Sequence, residues 1–355
     1  MLEFLNLKQT AFGLDISDLS LKIVNLKKDK KHLKLTSFGE TSIRPGIIEK
    51  GEIKNEKALA EIIKKAIKEV KGEKIKTKHV IASLPEEKAF LQVIPMPIMK
   101  EEELRKAIRF EAENYVPLPI EKVYLDFQIV PSVNSNQDHL DVLIAALPKK
   151  TIDPYVSSLE IAGLKPLVLE IESQAISLAL IKNKLVSESS IIIDLGATRT
   201  SFIIFSENSL RFTSSIPVSS NKFTEAISKN MKVNLKKAEN LKIKQGIKDK
   251  SKIFEVLTPV LADLMEQIKK YISYYHSHAS QNSERKIDKI ILCGGGANLP
   301  GLTDFLSFKL KLPVELGNPW TNILPKPLKR VPELSYSDSL GYTTALGLAL
   351  RGLNL

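Results

Sequence analysis

Two stretches of this sequence repeat one local pattern, and the repetition limits the chain to folds built from two similar halves. Residues 11–26 (AFGLDISDLSLKIVNL) and 190–205 (SIIIDLGATRTSFIIF) each contain an apolar run, an aspartate, a short turn and a second apolar run. Short apolar runs separated by small and polar residues predict two β-strands joined as a hairpin. Asp15 and Asp194 each end the first strand of a hairpin. The sequence therefore predicts an α/β protein with two related domains.

A third segment, KIILCGGGANLPGL at 289–302, predicts a strand, a glycine-rich turn and the start of a helix. Glycines allow the backbone to approach a flat base or a phosphate where a Cβ atom would collide. Hairpin turns offer N–H groups to phosphate oxygens, and a carboxylate at a strand end can reach a hydrated metal ion. One such hairpin is weak evidence alone, but the three segments together predict a magnesium-nucleotide site between the two halves.

Helical patterns lie between these segments. Asn55 is a candidate N-cap for a helix at 56–70, and a second helix at 101–116 stops before Pro117. Residues 86–167 are predicted to form an insertion with the order helix, strand, strand, helix, strand, including a turn at 134–139. A linker rich in proline and turn-forming residues is predicted at 325–338.

Composition excludes several classes of protein. The sequence lacks an uncharged apolar run of membrane-spanning length and an N-terminal signal pattern, so we expect a cytoplasmic protein. With Cys293 as the single cysteine, no internal disulfide can form. The formal net charge of +11 comes from dispersed lysines without interleaved aromatic residues, so we expect no nucleic-acid partner. A basic surface also suits an anionic membrane or acidic partners.

The order of the motifs DIS, DLGATRT, AENLKIKQG and CGGGANLPGL resembles the actin-like ATPase superfamily. Segments at 84–97, 101–130, 167–180, 317–323 and 342–353 are similar to the PilM family, cytoplasmic proteins of the type IV pilus inner-membrane platform. The resemblance covers nearly the whole chain. The helix leading into YVPLP and then DFQIV is the most specific part, because sugar kinases and actin have nothing similar there. FtsA cell-division proteins share the motif order and an inserted subdomain.

The resemblance implies an actin-like ATPase fold, in which two ribonuclease-H-like domains flank a nucleotide cleft and an α+β subdomain is inserted. The implied boundaries are listed in chain order: 1–85 for the first domain, 86–167 for the inserted subdomain, 168–189 and 339–355 for the rest of the first domain, and 190–338 for the second domain with a helical subdomain at about 221–284.

The resemblance also implies that ATP and Mg²⁺ are cofactors and assigns residues to them. Asp15 and Asp194 would hold hydrated Mg²⁺ and water, and Glu239 and Lys242 would bind ribose and adenine. The implied phosphate-binding residues are Ser17, Gly196, Ala197, Thr198 and Thr200. The implied adenine-side turn consists of Gly294, Gly295, Gly296 and Asn298. Lys22 lies too far along the returning strand to be assigned to a phosphate.

Two residues of the implied site have alternative interpretations. Glu172 either orients the attacking water or is a carboxylate favoured by the start of a helix. Asp18 adds a negative charge where the family pattern has none. It either points away from the phosphate and bonds the amides of its own turn, which we favour, or helps to hold a cation. Weak magnesium-dependent ATP hydrolysis is therefore left open.

The resemblance implies protein partners as well. PilM proteins bind the N-terminal cytoplasmic tail of the membrane protein PilN, and work with other pilus-platform and motor ATPase proteins; self-association is a further possibility. We predict that the groove for the tail uses the apolar segment 90–99. Two alternatives are an FtsA-like scaffold, which would need an amphipathic membrane helix beyond the ALGLALRGLNL ending, and a small-molecule kinase, which would need an acceptor pocket.

Overall fold

A computed structural model describes residues 10–29, 32–130, 139–182, 188–247, 251–278, 286–324 and 331–353. Most of the turn predicted at 134–139 and the first part of the linker predicted at 325–338 lie outside these residues. The strands are β1 (Phe12–Ile16), β2 (Ser20–Asp29), β3 (His32–Ser42), β4 (Ile48–Glu49), β5 (Glu52–Ile53), β6 (Lys71–Gly72), β7 (His79–Leu84), β8 (Phe90–Pro97), β9 (Val123–Val130), β10 (His139–Pro148), β11 (Lys165–Ile171), β12 (Ser190–Leu195), β13 (Thr200–Ser206), β14 (Ser209–Ile216), β15 (Lys289–Cys293) and β16 (Val314–Leu316). The helices are α1 (Glu56–Lys68), α2 (Glu101–Ala112), α3 (Lys149–Ile161), α4 (Glu172–Leu180), α5 (Ser220–Met231), α6 (Leu235–Gln245), α7 (Lys252–His278), α8 (Leu302–Leu310), α9 (Tyr336–Leu340) and α10 (Thr343–Leu353).

The first lobe is built on a six-stranded sheet with the order β11-β7-β1-β2-β3-β6. Strand β1 is antiparallel to β2, which forms the first predicted hairpin, and parallel to β7. Helices α1 and α3 pack together on one face, and α4 and α10 pack together on the other. Helix α1 begins where predicted, because the Asn55 side chain accepts a hydrogen bond from the Ala58 N–H at 3.0 Å. Its apolar stripe, including Leu59 and Ile63, is fully buried.

The second lobe and the insertion share one eight-stranded sheet with the order β16-β15-β12-β13-β14-β8-β10-β9. Strands β12 to β16 with α5 to α9 form the second lobe, and β12 and β13 form the second predicted hairpin. The insert consists of β8, α2, β9 and β10, with its own apolar core between α2 and the sheet. It joins the second lobe where Gln92 of β8 lies opposite Phe212 of β14.

The insert begins with a strand, so the predicted order that starts with a helix is wrong. Pro95 and Pro97 weaken the strand signal of this segment, since proline is rare inside sheets. Both lie beyond the registered contact with β14 but stay in register with β10, opposite Asp141 and His139. Helix α2 also ends at Ala112 rather than at residue 116, and Val116 closes the following turn onto the Ala112 carbonyl.

Helix α3 packs mainly against the first lobe and touches the insert through β10 and the Tyr124 hydroxyl of β9. Tyr155 and Leu159 are fully buried in the same apolar cluster as Phe12 and Leu14 of β1. The predicted insertion of 86–167 thus contains a helix whose side chains contribute to the core of the first lobe. Within the described ranges, no helix has the length and apolar character needed to cross a bilayer.

Candidate functional site

A cleft of about 720 Å³ lies between the two lobes, and the turns of both hairpins open into it. Most of the predicted site residues line this cleft: Asp15, Ser17, Glu172, Asp194, Gly196, Ala197, Thr198, Gly294, Gly295 and Asn298. The fold therefore brings together residues that are far apart in the sequence, because each follows a strand or begins a helix at the same end of its sheet. The other predicted residues, Thr200, Glu239, Lys242 and Gly296, are not among those that line the cleft.

Ser17 closes the first turn, which connects β1 to β2. Its N–H donates to the Ser20 carbonyl at 2.9 Å, and its hydroxyl donates to the same carbonyl at 3.0 Å. Ser17 does not adopt a positive φ, so serine replaces glycine here without backbone strain. Its polar groups are thus engaged within the turn. Asp15 accepts a hydrogen bond from the Ser83 hydroxyl at 3.2 Å, which ties the end of β1 to β7.

The second turn, which connects β12 to β13, is anchored to helix α5. Gly196 donates its N–H to the Arg199 carbonyl at 2.9 Å and accepts from the Ser220 N–H at 2.9 Å. Ala197 accepts from the Asn221 N–H at 3.1 Å, so the first residues of α5 hold the turn in place. The hydroxyl of Thr200 is buried beneath the turn and donates to the Val218 carbonyl at 2.7 Å, so it stabilises the hairpin from below.

Three carboxylates converge at the base of the cleft. Burial, and then the neighbouring Asp15 carboxylate, raise the pKa of Asp194 to about 6. Burial also raises the pKa of Asp15, and it raises that of Glu172 well above its usual range, with a further contribution from Asp15 and Asp194. Lys22 also lines the cleft and opposes the pKa rise of both aspartates, but the pKa values stay raised, and such an excess of buried acids favours a cation in the cleft.

The three carboxylates do not by themselves form a direct metal site. Across the part of the chain that the structure describes, there is no group of three or more His, Cys, Asp or Glu side chains able to hold a metal ion. Asp15 and Asp194 are therefore candidates to accept hydrogen bonds from metal-bound water, as the sequence predicts.

Glu172 is the first residue of α4 and lines the cleft. Its carboxylate accepts from the Glu86 N–H at 3.4 Å, while the Glu86 carboxylate accepts from the Ser173 N–H at 3.0 Å. This reciprocal pair fixes the start of α4 against the segment that leads into β8. Both sequence interpretations remain compatible with this geometry, since the residue begins a helix and also faces the cleft.

Asp18 has partners that neither sequence interpretation names. Its carboxylate accepts from the Gly51 N–H at 2.9 Å and from Arg199 Nη2 at 2.8 Å. The idea that it bonds the amides of its own turn is wrong. Two unit charges about 4 Å apart interact by roughly 4 kcal/mol at an effective dielectric constant near 20. The positive charge of Arg199 therefore largely offsets the negative charge of the Asp18 carboxylate.

The glycine-rich turn packs against the second hairpin. At Gly294, where φ is +80°, a Cβ atom would lie 2.3 Å from the Asp194 carboxylate. Gly296 is packed against Leu195 in the same way, whereas a Cβ at Gly295 would meet nothing within 4 Å. Asn298 donates its side-chain N–H to the Ser337 carbonyl at 2.8 Å, which joins this turn to α9. Position 294 therefore requires glycine, because any side chain there would collide with Asp194. Gly295 leaves space on the cleft side.

Glu239 and Lys242 lie on α6 and contact each other at 2.8 Å. Lys242 is buried and donates to the Ser220 carbonyl at 3.1 Å, the Ser220 hydroxyl at 2.8 Å and the Thr224 hydroxyl at 2.9 Å. The pair joins α6 to the start of α5, which in turn holds the second turn. Their predicted ribose and adenine contacts would require these side chains to turn towards the cleft.

Sequence reasoning missed several residues of the cleft wall, of which Arg199, Tyr155 and Tyr342 are the largest. Arg199 stands within the DLGATRT motif, and its charge opposite to the unexplained Asp18 was a signal that could have identified it. Tyr155 comes from α3, and its hydroxyl donates to the Gly51 carbonyl at 3.2 Å. No local pattern marks such a residue, because its position depends on how α3 packs.

A groove separates the insert from the first lobe. It has a volume of about 730 Å³ and lies between β9 and β10 on one side and β11, α3 and α4 on the other. An adjoining cavity of about 570 Å³ extends to the β13–β14 hairpin of the second lobe. Glu170, Gln174 and Arg351 line both.

The groove does not use the predicted segment 90–99. Strand β8 lies between β14 and β10, and its Leu91, Ile94 and Met96 side chains are buried in apolar cores. The apolar residues of the segment therefore belong to a strand inside the sheet, and where a tail would bind stays a prediction. The strands that border the groove, β9 and β11, are instead the edge strands of their two sheets.

Comparison with known families decides between the relatives that share this architecture. The family of the type IV pilus assembly protein PilM matches residues 13–353. The chain belongs to the PilM family. A solved PilM-PilN type IV pilus biogenesis complex is similar to this chain with a TM-score of 0.82 and 27% sequence identity, covering 98% of this chain and 99% of that one.

More distant structures share the fold of this PilM-family chain. The ethanolamine utilization protein EutJ from Carboxydothermus hydrogenoformans has a TM-score of 0.57 at 14% identity, covering 96% of this chain and 89% of its own. MreB5 of Spiroplasma citri has TM-scores of 0.55 bound to AMPPNP and 0.52 bound to ADP, both at 14% identity, covering 96% and 95% of this chain and 95% and 94% of its own. The protein has an actin-like ATPase fold and is a type IV pilus assembly protein.

Proposed function

We propose that the cleft binds ATP or ADP together with Mg²⁺. The observation that carries this proposal is the convergence of both hairpin turns, the glycine-rich turn and three buried carboxylates with raised pKa values on one cleft. A hydrated Mg²⁺ would be held by Asp15 and Asp194 and would neutralise phosphate charge when bound. Gly196, Ala197 and Thr198 present their turn to the phosphates, and Gly295 leaves room beside the base. Glu172 would accept a proton from, or orient, a water molecule in the cleft.

Nucleotide binding can be tested by titrating the purified chain with a fluorescent ADP analogue, with Mg²⁺ and with a chelator. We expect saturable binding that requires Mg²⁺ and weakens strongly in Asp15→Asn. Asp263→Asn, on an exposed turn of α7, is the matched control and should bind like the wild type. Absence of magnesium-dependent binding by the wild-type chain would refute the proposal.

We propose further that the groove beside the insert binds the N-terminal tail of a PilN-like membrane protein. The chemistry supports this partner: the groove is bordered by the edge strands of two sheets, to which an extended peptide can add, and the apolar floor includes Leu143, Leu147 and Val156. The tail would place the protein at the cytoplasmic face of the inner membrane, next to other platform and motor proteins. Closure of the cleft on ATP would move the lobes that border the groove and so change its affinity for the tail.

The groove can be tested with a synthetic tail peptide and Ala145→Arg. This substitution puts a long charged side chain into the groove, so we expect it to abolish peptide binding and to leave nucleotide binding intact. Asn230→Arg, on the exposed face of α5, introduces the same side chain far from the groove. Peptide affinity that survives in Ala145→Arg would place the tail elsewhere.

A further inference from the structure

Three buried charges meet where the two hairpin turns face each other. Arg199, from the turn of the second lobe, donates from Nη2 to Asp18 of the first turn at 2.8 Å. Its Nη1 contacts Glu87, in the short turn of helix between β7 and the insert. The side chains of Arg199, Asp18 and Glu87 are 16%, 11% and 19% exposed, so solvent screens this contact poorly.

The cluster is fixed from the first lobe as well. The Gly51 N–H holds the second oxygen of Asp18, and a Cβ atom at Gly51 would lie 2.5 Å from Glu87 Oε1. Asp18 therefore cannot turn out to solvent without losing two partners. A phosphate group entering between the turns must lie close to this carboxylate, and Arg199 is the cation that the structure pairs with it.

We propose that Arg199 enables the cleft to accept phosphate groups in spite of Asp18, and that it thereby determines how the site discriminates between ligands of different charge. This inference rests on the proposed nucleotide site. A guanidinium has five N–H donors, so it can hold two carboxylates and still offer a donor to a phosphate oxygen. Without Arg199, the Asp18 and Glu87 carboxylates are left unpaired, and their repulsion grows with the negative charge of the ligand.

The test compares ligands that differ in charge. Dissociation constants of magnesium-AMPPNP and magnesium-ADP are measured by calorimetry for the wild type, Arg199→Met, Asp18→Asn and the double variant. We expect Arg199→Met to weaken AMPPNP binding by about tenfold or more and ADP binding by less, since the triphosphate carries more charge. We expect the double variant to recover most of the loss, because the amide at position 18 no longer repels phosphate.

Arg105→Met serves as the matched control, because Arg105 is exposed on α2 and pairs with Glu101. Equal AMPPNP affinity in Arg199→Met and the wild type would overturn the inference while leaving nucleotide binding in place. Loss without recovery in the double variant would also overturn it, since Arg199 would then act independently of Asp18.

If Arg199→Met does not fold, Asp18→Asn alone is decisive. It should bind AMPPNP at least as tightly as the wild type, and weaker binding overturns the inference. A wild-type chain that binds neither nucleotide overturns the proposed function and this inference together.

Discussion

Asp194 is a residue whose negative charge works against folding. Its ordinary pKa is 3.8, and burial raises it to about 6 in the folded chain. The folded state therefore holds this proton more tightly than the unfolded state between these two values. The stabilisation from the protonated form is complete below about pH 4 and is lost as the pH rises through about 6.

We expect the free energy of unfolding to fall by up to about 3 kcal/mol from pH 4 to pH 7 through this residue. Asp194→Asn removes the titration, so its stability should decline less over the same range, as measured by urea denaturation at several pH values. Asp263→Asn should follow the wild-type curve. Parallel curves for Asp194→Asn and the wild type would contradict the pKa shift.

At the scale of elements, helix α10 controls the spacing between β1 and α4. Gly13 of β1 faces α10, where a Cβ atom would lie 2.5 Å from the Ala345 carbonyl oxygen. On the other side, a Cβ atom at Gly347 would lie 1.8 Å from the Ala175 carbonyl oxygen of α4. Since Asp15 lies next to the last residue of β1 and α4 begins with Glu172, this close packing also sets the separation of two cleft carboxylates.

We expect Gly347→Ala to destabilise the protein by roughly 1–3 kcal/mol or more, because α4 must move away from α10 to accommodate the methyl group. Its nucleotide affinity should also fall. Gly341→Ala is the control, since a Cβ atom there has its nearest neighbour at 3.5 Å and the backbone is helical. Thermal unfolding of both variants measures the difference, and equal melting temperatures would contradict the packing argument.

At the scale of the whole molecule, the insert is attached to both lobes by different means. Buried Arg211 of the second lobe donates to Asp141 of the insert at 2.8 Å and to Glu207 at 2.5 Å. With the shared eight-stranded sheet, this contact would make the insert follow the second lobe in the proposed closure of the cleft. The groove, which also borders the first lobe, would then change width.

We expect Arg211→Met to reduce the effect of nucleotide on tail-peptide affinity, which for coupled sites is typically about fivefold or more. Each ligand alone should bind with nearly wild-type affinity, because Arg211 lines neither site. Peptide titrations with and without AMPPNP measure the coupling, with Arg105→Met as control. Unchanged coupling in Arg211→Met would show that the insert does not move with the second lobe.

Local signals in the sequence predicted the parts of the fold that depend on neighbours in the chain. Asp15 and Asp194 were found because strand, turn and strand follow one another without interruption. Gly294 was predicted as part of a turn after a strand. In the structure, glycine is needed there because the Asp194 carboxylate lies close by. The Asn55 cap of α1 and the two hairpins also follow from local patterns.

The remaining features depend on contacts between distant segments, which one sequence does not encode locally. Asp18 and Arg199 pair across the cleft, β8 joins the sheet of the second lobe, and α3 places Tyr155 in the cleft wall. In each case the packing of whole elements decides which residues come into contact. The same local sequence patterns would also be compatible with these side chains being exposed to solvent. The sequence alone thus determined the hairpins and their acids, while the tertiary structure decided which charges neutralise each other and where the groove lies.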